Sequence, residues 1–148
     1  MHNILPDKYK NIDDTELQIR IAYVKKQLGK DLCILGHYYQ RDEVIQFADH
    51  EGDSFALAKA GAATDAKWIV FCGVHFMAEA SVILSKPNQR VFLPDMDAGC
   101  PMADMAAIND VEDAWKELEK KGLAKDFIPI TYMNSNAELK AFCGRLGG

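Results

Sequence analysis

Residues 31–44, DLCILGHYYQRDEV, begin as an apolar run and end in a cluster of polar side chains. The run at residues 32–35 has the composition of a buried strand, and His37 and Tyr39 follow it directly. The carboxyl ends of strands in an open parallel sheet line the crevice in which ligands bind. The stretch therefore predicts a core strand that ends in side chains suited to a functional site.

The rest of the chain alternates strand-like runs with helical patterns. An amphipathic helix is expected over residues 13–28, and three further apolar runs occupy residues 68–71, 91–93 and 127–132. Helical patterns cover residues 43–50, 54–63, 75–85, 109–122 and 136–142. This alternation predicts an α/β fold, with a parallel sheet covered by helices on both faces and joined by right-handed crossovers.

Composition excludes several classes of protein. The 148 residues are 49% hydrophobic, which is enough for a proper core, and the net charge of −5 comes without a basic stripe. We therefore expect no nucleic-acid partner. No signal peptide and no apolar span of about 20 residues is recognisable, so we expect a cytoplasmic protein that does not enter a membrane.

The four cysteines are far apart in the sequence, at Cys33, Cys72, Cys100 and Cys143. The absence of any C-x-x-C pair excludes a local zinc knuckle and a thioredoxin-type motif. Disulfides are not expected in a cytosolic chain of this size. Any thiol chemistry must therefore be assembled by the fold from distant positions.

Polar or thiol side chains follow each predicted strand. In chain order they are His37 and Tyr39, then Cys72 and His75 with Gly73 between them, then Asp95, Asp97 and Cys100, then Tyr132 and Asn134. Each has a purely structural alternative. A histidine can be satisfied by a backbone carbonyl, a tyrosine can pack its ring at the sheet edge, and a cysteine in an apolar strand is usually inert.

Two segments favour function over structure. Cys100 lies between Gly99 and Pro101 at what the sequence predicts to be the first turn of a helix, where free amides and the helix dipole favour a thiolate. In EGDSFALAKAG, residues 51–61, Asp53 or Ser54 is expected to cap a helix. The same helix start could bind a carboxylate or a phosphate.

Five motifs in one order resemble quinolinate synthase, the family that makes the pyridine ring precursor of NAD. They are GHYYQRDEV (36–44), GDSFALAKAG (52–61), VFCGVHFMAEAS (70–81), LPDMDAGCPMADM (93–105) and ITYMNSNAELKAF (130–142). The resemblance implies similar three-layer α/β domains and the condensation of iminoaspartate with dihydroxyacetone phosphate to quinolinate, with loss of water and phosphate. It also implies L-aspartate oxidase or dehydrogenase as the neighbouring source of iminoaspartate.

The resemblance further implies a [4Fe-4S] cluster that is held by three cysteines and acts as a Lewis acid. By motif, Cys100 resembles the first cluster ligand, and Tyr39 resembles a tyrosine that moves protons on the triose-derived intermediate. His37 and Ser54 resemble binders of iminoaspartate, and we expect His37 to act in catalysis together with Tyr39. The stretch Tyr132, Met133 and Asn134 resembles a further substrate-binding segment.

The family pattern continues beyond the motifs found here. We expect a first α/β domain at residues 1–96 and the start of a second, similar domain at residues 97–148 that stops in mid-architecture. One thiolate is not expected to hold a cubane cluster, so this chain alone is expected to be inactive. The alternative is a non-catalytic α/β module that binds a small dicarboxylate or phosphate. A nucleotide-binding Rossmann domain is disfavoured because no G-x-G-x-x-G follows a strand.

Overall fold

The computed structural model describes residues 6–148, so the first five residues of the predicted first domain lie outside the described range. The chain divides into two compact units, one that ends at Ala98 and one that spans Gly99–Gly148. The predicted domain boundary after residue 96 stays a prediction.

The first unit is built on a four-stranded parallel sheet with the strand order β2-β1-β3-β4. Its elements are α1 (Asp7–Lys10), α2 (Asp14–Leu28), β1 (Leu32–His37), α3 (Asp42–Ile45), β2 (His50–Gly52), α4 (Ser54–Ala63), β3 (Trp68–Cys72), α5 (His75–Leu84) and β4 (Arg90–Phe92). The predicted α/β fold with a parallel sheet flanked by helices is confirmed.

One face of the sheet carries the hydrophobic core. Leu35, Ile69 and Phe71 are fully buried there. Successive side chains of a strand point to opposite faces of the sheet, and these three lie on the face that α4 and α5 cover. Gly61 of α4 lets that helix approach closely. A Cβ at Gly61 would lie 3.1 Å from Leu35 Cδ1 and 3.2 Å from Ser81 Oγ.

The opposite face is covered unevenly. Helix α3 packs tightly over β1, since a Cβ at Gly36 would lie 2.5 Å from Ile45 Cδ1 and 2.9 Å from Ala48 Cβ. Helix α2 forms as predicted and is capped by Asp13, which accepts a hydrogen bond from the Glu16 amide at 2.9 Å. However, no residue of α2 is buried, and a cavity of about 480 Å³ separates the helix from the sheet. We call this cavity the apolar groove, and its lining includes Ile21, Val24, Leu32, Val44, Val70 and Cys72.

The segment between β1 and α4 differs from the prediction of a helix over residues 43–50. Helix α3 ends at Ile45, and the chain then forms β2. The Asp49 amide donates to the Ile34 carbonyl at 2.7 Å, and the Asp49 carboxylate accepts from the Ile34 amide at 2.8 Å. These bonds to a core strand outweigh the helical pattern, so the sheet gains an edge strand that the apolar pattern did not indicate.

The second unit contains α6 (Ile108–Lys120), which ends close to Gly122 at φ +69°, and α7 (Ala137–Arg145). Trp115 and Phe142 join these helices edge to face, with ring centroids 5.8 Å apart. The prediction of a strand over residues 127–132 is wrong. The described residues of this unit include no other strand, so this stretch has no ladder to join, and Ile128 and Ile130 remain exposed.

Across residues 6–148, none of the helices combines the length and the apolar character needed to cross a membrane.

Candidate functional site

The carboxyl edge of the sheet in the first unit brings His37 and the start of α4 together. His37 is the last residue of β1 and pairs in register with Gly52, the last residue of β2. Ser54 follows Gly52 by two residues and opens α4. Two of the predicted iminoaspartate binders therefore lie at adjacent strand ends, as expected for a parallel sheet.

The His37 side chain is only 3% exposed. Burial lowers the pKa of His37 from its ordinary value of 6.5, and the nearby Asp53 charge opposes this shift only in part. Its Nδ1 accepts a long 3.5 Å hydrogen bond from the Tyr39 amide. That acceptor role assigns the proton to Nε2, so the neutral ring offers one N–H donor.

Two tyrosines pack against the His37 ring. The ring centroid of Tyr39 lies 3.7 Å from that of His37, and the Tyr38 centroid lies 4.3 Å away. Both tyrosines are more than half exposed. The predicted catalytic residues His37 and Tyr39 are thus in direct contact, with a buried imidazole beneath an accessible phenol. Tyr38 is a second aromatic contact that the sequence analysis did not single out.

Asp53 caps α4, which decides between the two alternatives left by the sequence. Its Oδ1 accepts hydrogen bonds from the Phe55 amide at 3.0 Å and the Ala56 amide at 2.8 Å. These amides are therefore already occupied by a carboxylate, which disfavours the prediction that an external anion binds to all of them. Ser54, buried and not needed as the cap, is the polar residue of this helix start that remains suited to a substrate.

The end of β3 contributes Cys72, which pairs in register with Gly36, and then Gly73. Burial raises the pKa of Cys72, so its thiol stays protonated at neutral pH. A Cβ at Gly73 would lie 2.9 Å from Met77 Sδ and 2.9 Å from the Phe71 ring. His75 begins α5 as predicted, and its amide donates to the Ala98 carbonyl at 2.8 Å.

Cys100 lies in the second unit, where the predicted helix start is wrong. The Cys100 carbonyl accepts from the Asp104 amide at 2.9 Å, and the Asp104 carboxylate accepts from the Cys100 amide at 2.9 Å. These bonds close a single turn, and the next helix begins at Ile108. The Asp104 side chain thereby satisfies the Cys100 amide at the start of this turn. The helix dipole therefore does not act on this thiol, which is partly exposed in a loop.

The predicted substrate segment of the second unit contacts the Cys100 turn. Asn134 Nδ2 lies 3.9 Å from Met102 Sδ, two residues after Cys100. The Tyr132 ring is exposed, while Met133 and Asn134 are half-buried. The Ser135 hydroxyl donates to the Tyr132 carbonyl at 2.8 Å and holds the turn that presents them. Among the predicted site residues, His37 thus contacts Tyr39 in the first unit, and Asn134 contacts the turn that contains Cys100 in the second.

The residues that the structure describes are the ones in which a metal site can be recognised. Among the residues that the structure describes, no three His, Cys, Asp or Glu side chains converge closely enough to hold a metal ion. Cys33 and Cys143 are buried, and burial together with the Asp49 charge raises the pKa of Cys33 to about 11. Cys100 is partly exposed and lies in the motif that resembles a cluster-ligand segment.

Sequence reasoning missed two residues near these groups. Asp49 fixes β1 through both of its hydrogen bonds to Ile34, and Asp104 fixes the Cys100 turn. The signal for Asp104 is its spacing of four residues after Cys100, which fits a single closed turn. For Asp49 the sequence offers no comparable signal, because its partner is fifteen residues away.

Comparisons with known proteins give consistent results. The family model described as quinolinate synthetase A protein matches residues 19–146. The quinolinate synthase of Acidobacterium capsulatum is 52% identical over 143 residues, covering 96% of this chain and 38% of the relative. That of Nocardioides sp. strain JS614 is 58% identical over 136 residues, covering 91% of this chain and 34% of the relative.

A third relative matches this chain throughout. The quinolinate synthase of Bacillus cereus strain B4264 is 52% identical over an alignment of 149 residues, which covers 100% of this chain and 40% of the relative. The chain therefore spans about two-fifths of the length of the curated relatives it matches.

Proposed function

The chain belongs to the quinolinate synthetase A family, and from that premise we propose that it supplies part of the active site that condenses iminoaspartate with dihydroxyacetone phosphate. The observation that carries this proposal is the contact between the buried His37 imidazole and the exposed Tyr39 phenol at the carboxyl edge of the sheet. A role in NAD biosynthesis follows from the family name. The reaction, its substrates and a cytoplasmic location belong to the proposal.

Binding of iminoaspartate is assigned to His37 and Ser54. A neutral imidazole donates its Nε2–H to a carboxylate oxygen without a proton being taken up first. The lowered pKa of His37 keeps it in this form at neutral pH. Because the chain carries a net charge of −5, directional donors such as this N–H and the Ser54 hydroxyl are needed to hold a dianionic substrate.

Proton transfer is assigned to Tyr39. This assignment is supported by the contact of the Tyr39 ring with the His37 ring and by the 54% exposure of Tyr39. Formation of a pyridine ring from the triose requires protons to move between carbon and oxygen atoms of the intermediate. A positioned phenol can serve as acid and then as base in such steps, typically with an effect of about 10²–10⁴-fold on the rate.

The second unit is assigned two tasks. Tyr132, Met133 and Asn134 form a further substrate-contacting segment, which is supported by their position beside the Cys100 turn. Cys100 would donate one thiolate to an iron-sulfur cluster in the whole protein, with the other ligands coming from residues outside this chain. This assignment is supported by the motif and by the partial exposure of the thiol.

A hybrid polypeptide tests the proposal. Residues 1–148 replace the matching part of the Bacillus cereus relative, and quinolinate is measured under anaerobic conditions with iminoaspartate generated by L-aspartate oxidase. We expect the hybrid to be active and Tyr39→Phe to lower kcat by about 10²–10⁴-fold.

Tyr38→Phe is the matched control, because Tyr38 also contacts His37 and is likewise more than half exposed. It should stay within a factor of about 2 of the parent, because the substitution keeps the ring and removes a surface hydroxyl to which no proton transfer is assigned. An inactive but folded hybrid, or equal losses in the two variants, would refute the assignment. Saturable binding of a dicarboxylate without any quinolinate would instead favour a non-catalytic binding module.

A further inference from the structure

A single residue, Asp104, binds both polar groups of the Cys100 backbone. The Cys100 amide donates to Asp104 Oδ2 at 2.9 Å, and the Cys100 carbonyl accepts from the Asp104 amide at 2.9 Å. The Asp104 side chain thus reaches back to the amide that begins the turn, as the Glu or Gln of a capping box does. Since the next helix begins only at Ile108, the position of the Cys100 backbone depends on Asp104 rather than on a helical ladder of hydrogen bonds.

Two residues inside the turn limit its freedom further. The ring of Pro101 fixes its own φ and disfavours helical backbone angles for the residue before it, which is Cys100. Ala103 is buried, so the turn is anchored in the second unit. With its backbone held in this way, the partly exposed sulfur of Cys100 moves mainly by rotation about the Cα–Cβ bond. The turn therefore presents one thiol with few alternative positions.

We propose that Asp104 is a positioning residue, which holds the Cys100 thiolate where it binds iron. This inference rests on the proposed function, in which Cys100 donates one thiolate to a cluster. Cysteine thiolates are the usual ligands of iron-sulfur clusters, so the group that Asp104 positions has the chemistry that such a cluster requires. Residues that orient a metal ligand through a hydrogen bond typically change metal affinity by about 10–100-fold when they are replaced. We expect an effect of that size for Asp104.

The same turn lies beside the predicted substrate segment. Met102 Sδ, in the middle of the turn, is 3.9 Å from Asn134 Nδ2. The Ser135 hydroxyl holds the other side of this contact through its 2.8 Å bond to the Tyr132 carbonyl. A turn that is closed by Asp104 therefore keeps the thiol and the Asn134 amide in a fixed relation within one unit. Iron and substrate need such a relation if both are to be bound at once.

Asp13 provides a matched comparison for the carboxylate of Asp104. Its Oδ1 accepts from the Glu16 amide at 2.9 Å, and both aspartates are exposed. Asp13→Ala therefore removes a bond of the same kind and length, but from the cap of α2 in the first unit. If Asp104 only stabilised the fold, Asp104→Ala and Asp13→Ala should have similar effects on iron.

Iron retention is measured in the hybrid polypeptide after anaerobic reconstitution. Asp104→Ala, Asp104→Asn, Asp13→Ala and Cys100→Ala are compared with the parent hybrid by the rate at which a chelator of ferrous iron removes the metal. Asp104→Ala should release iron about 10–100-fold faster than the parent, whereas Asp13→Ala should match the parent. Asp104→Asn should also stay close to the parent, because its amide oxygen still accepts from the Cys100 amide. An Asp104→Asn hybrid that loses iron as fast as Asp104→Ala would overturn the inference.

The turn itself is measured in the isolated chain, prepared without iron. Nuclear magnetic resonance follows the exchange of the Cys100 amide hydrogen with solvent, which an intact hydrogen bond slows. Exchange should be faster in Asp104→Ala than in the parent and in Asp104→Asn, while circular dichroism shows that all three chains are folded. Equal exchange in all three would also overturn the inference, because the Asp104 bond would then not hold Cys100.

The remaining outcomes separate this inference from the proposed function. If the Cys100→Ala hybrid loses its iron while Asp104→Ala and Asp13→Ala release iron equally, the positioning role is refuted and the ligand assignment stands. If Cys100→Ala keeps its iron, both are refuted, because no ligand is left to position. An inactive parent hybrid in which Asp104→Ala speeds iron release and Asp13→Ala does not refutes the proposed reaction and supports the positioning role of Asp104.

Discussion

Asp49 is the residue whose removal should most clearly expose how the first unit is held together. Its carboxylate accepts from the Ile34 amide at 2.8 Å and pairs with Lys25 at 2.7 Å, with both side chains about one-third exposed or less. Asp49→Ala leaves the Ile34 amide without its acceptor, in a residue that is itself buried. An unsatisfied buried donor costs about 1–3 kcal/mol.

The ion pair adds a smaller amount. A partly solvated pair contributes about 1 kcal/mol or less, so Asp49→Ala should lower the free energy of unfolding by about 1–4 kcal/mol in total. Asp49→Asn keeps an oxygen for the Ile34 amide and loses only the charge. It should therefore cost about 1 kcal/mol or less. Urea unfolding of the isolated chain, monitored by circular dichroism, measures both values.

Asp65 is the matched control. It pairs with Lys86 at 2.8 Å, nearly the same distance, but its side chain is fully exposed. Asp65→Ala should leave the unfolding midpoint unchanged within error. If Asp49→Ala and Asp65→Ala have the same effect, or if Asp49→Asn is as damaging as Asp49→Ala, the proposed role of the Ile34 hydrogen bond is wrong.

Three shorter predictions concern other buried groups. Because burial lowers the pKa of His37 below 6.5, the unfolded chain binds more protons than the folded one just below pH 6.5, so stability should decrease as the pH is lowered through this range. A His37→Gln variant whose urea midpoints keep the parent's pH slope would count against this. Iodoacetamide at about pH 8 should alkylate Cys100 well before Cys33, whose pKa is raised to about 11, and mass spectrometry that finds equal rates would contradict the burial of Cys33. Gly36→Ala should cost about 1–3 kcal/mol by urea unfolding, because its Cβ would overlap Ile45 and Ala48; a neutral outcome would show that α3 can move away.

The strands and helices with strong apolar periodicity were predictable from sequence. β1 and β3 appeared as apolar runs. Helices α4 and α5 occupy nearly the predicted residues because both have helical apolar patterns, to which Asp53 adds a capping signal for α4. β2 was missed because His50, Glu51 and Gly52 form an exposed edge strand with no apolar signature. Its place is fixed by hydrogen bonds to β1, which only the folded chain brings near.

The positions of candidate site residues at strand ends were predictable from the sequence. The conformation of the loop that contains Cys100 was not. The rule that ligands meet the carboxyl ends of parallel strands led to His37 and Tyr39, whereas Ser54 was singled out by the predicted helix start in residues 51–61. The prediction that Cys100 lies at the start of a helix was wrong. The Asp104 carboxylate accepts a hydrogen bond from the Cys100 amide, and the chain forms a single turn there rather than a helix. The strand predicted at residues 127–132 failed for a different reason, since strand propensity without a neighbouring strand does not make a sheet.

Iron binding by the hybrid polypeptide tests the central assignment most directly. After anaerobic reconstitution, the parent and a Cys72→Ala control should each hold about four irons per chain, whereas Cys100→Ala should hold far fewer and form no quinolinate. A Cys100→Ala hybrid that keeps the full iron content and activity would contradict the assignment of Cys100 as a cluster ligand.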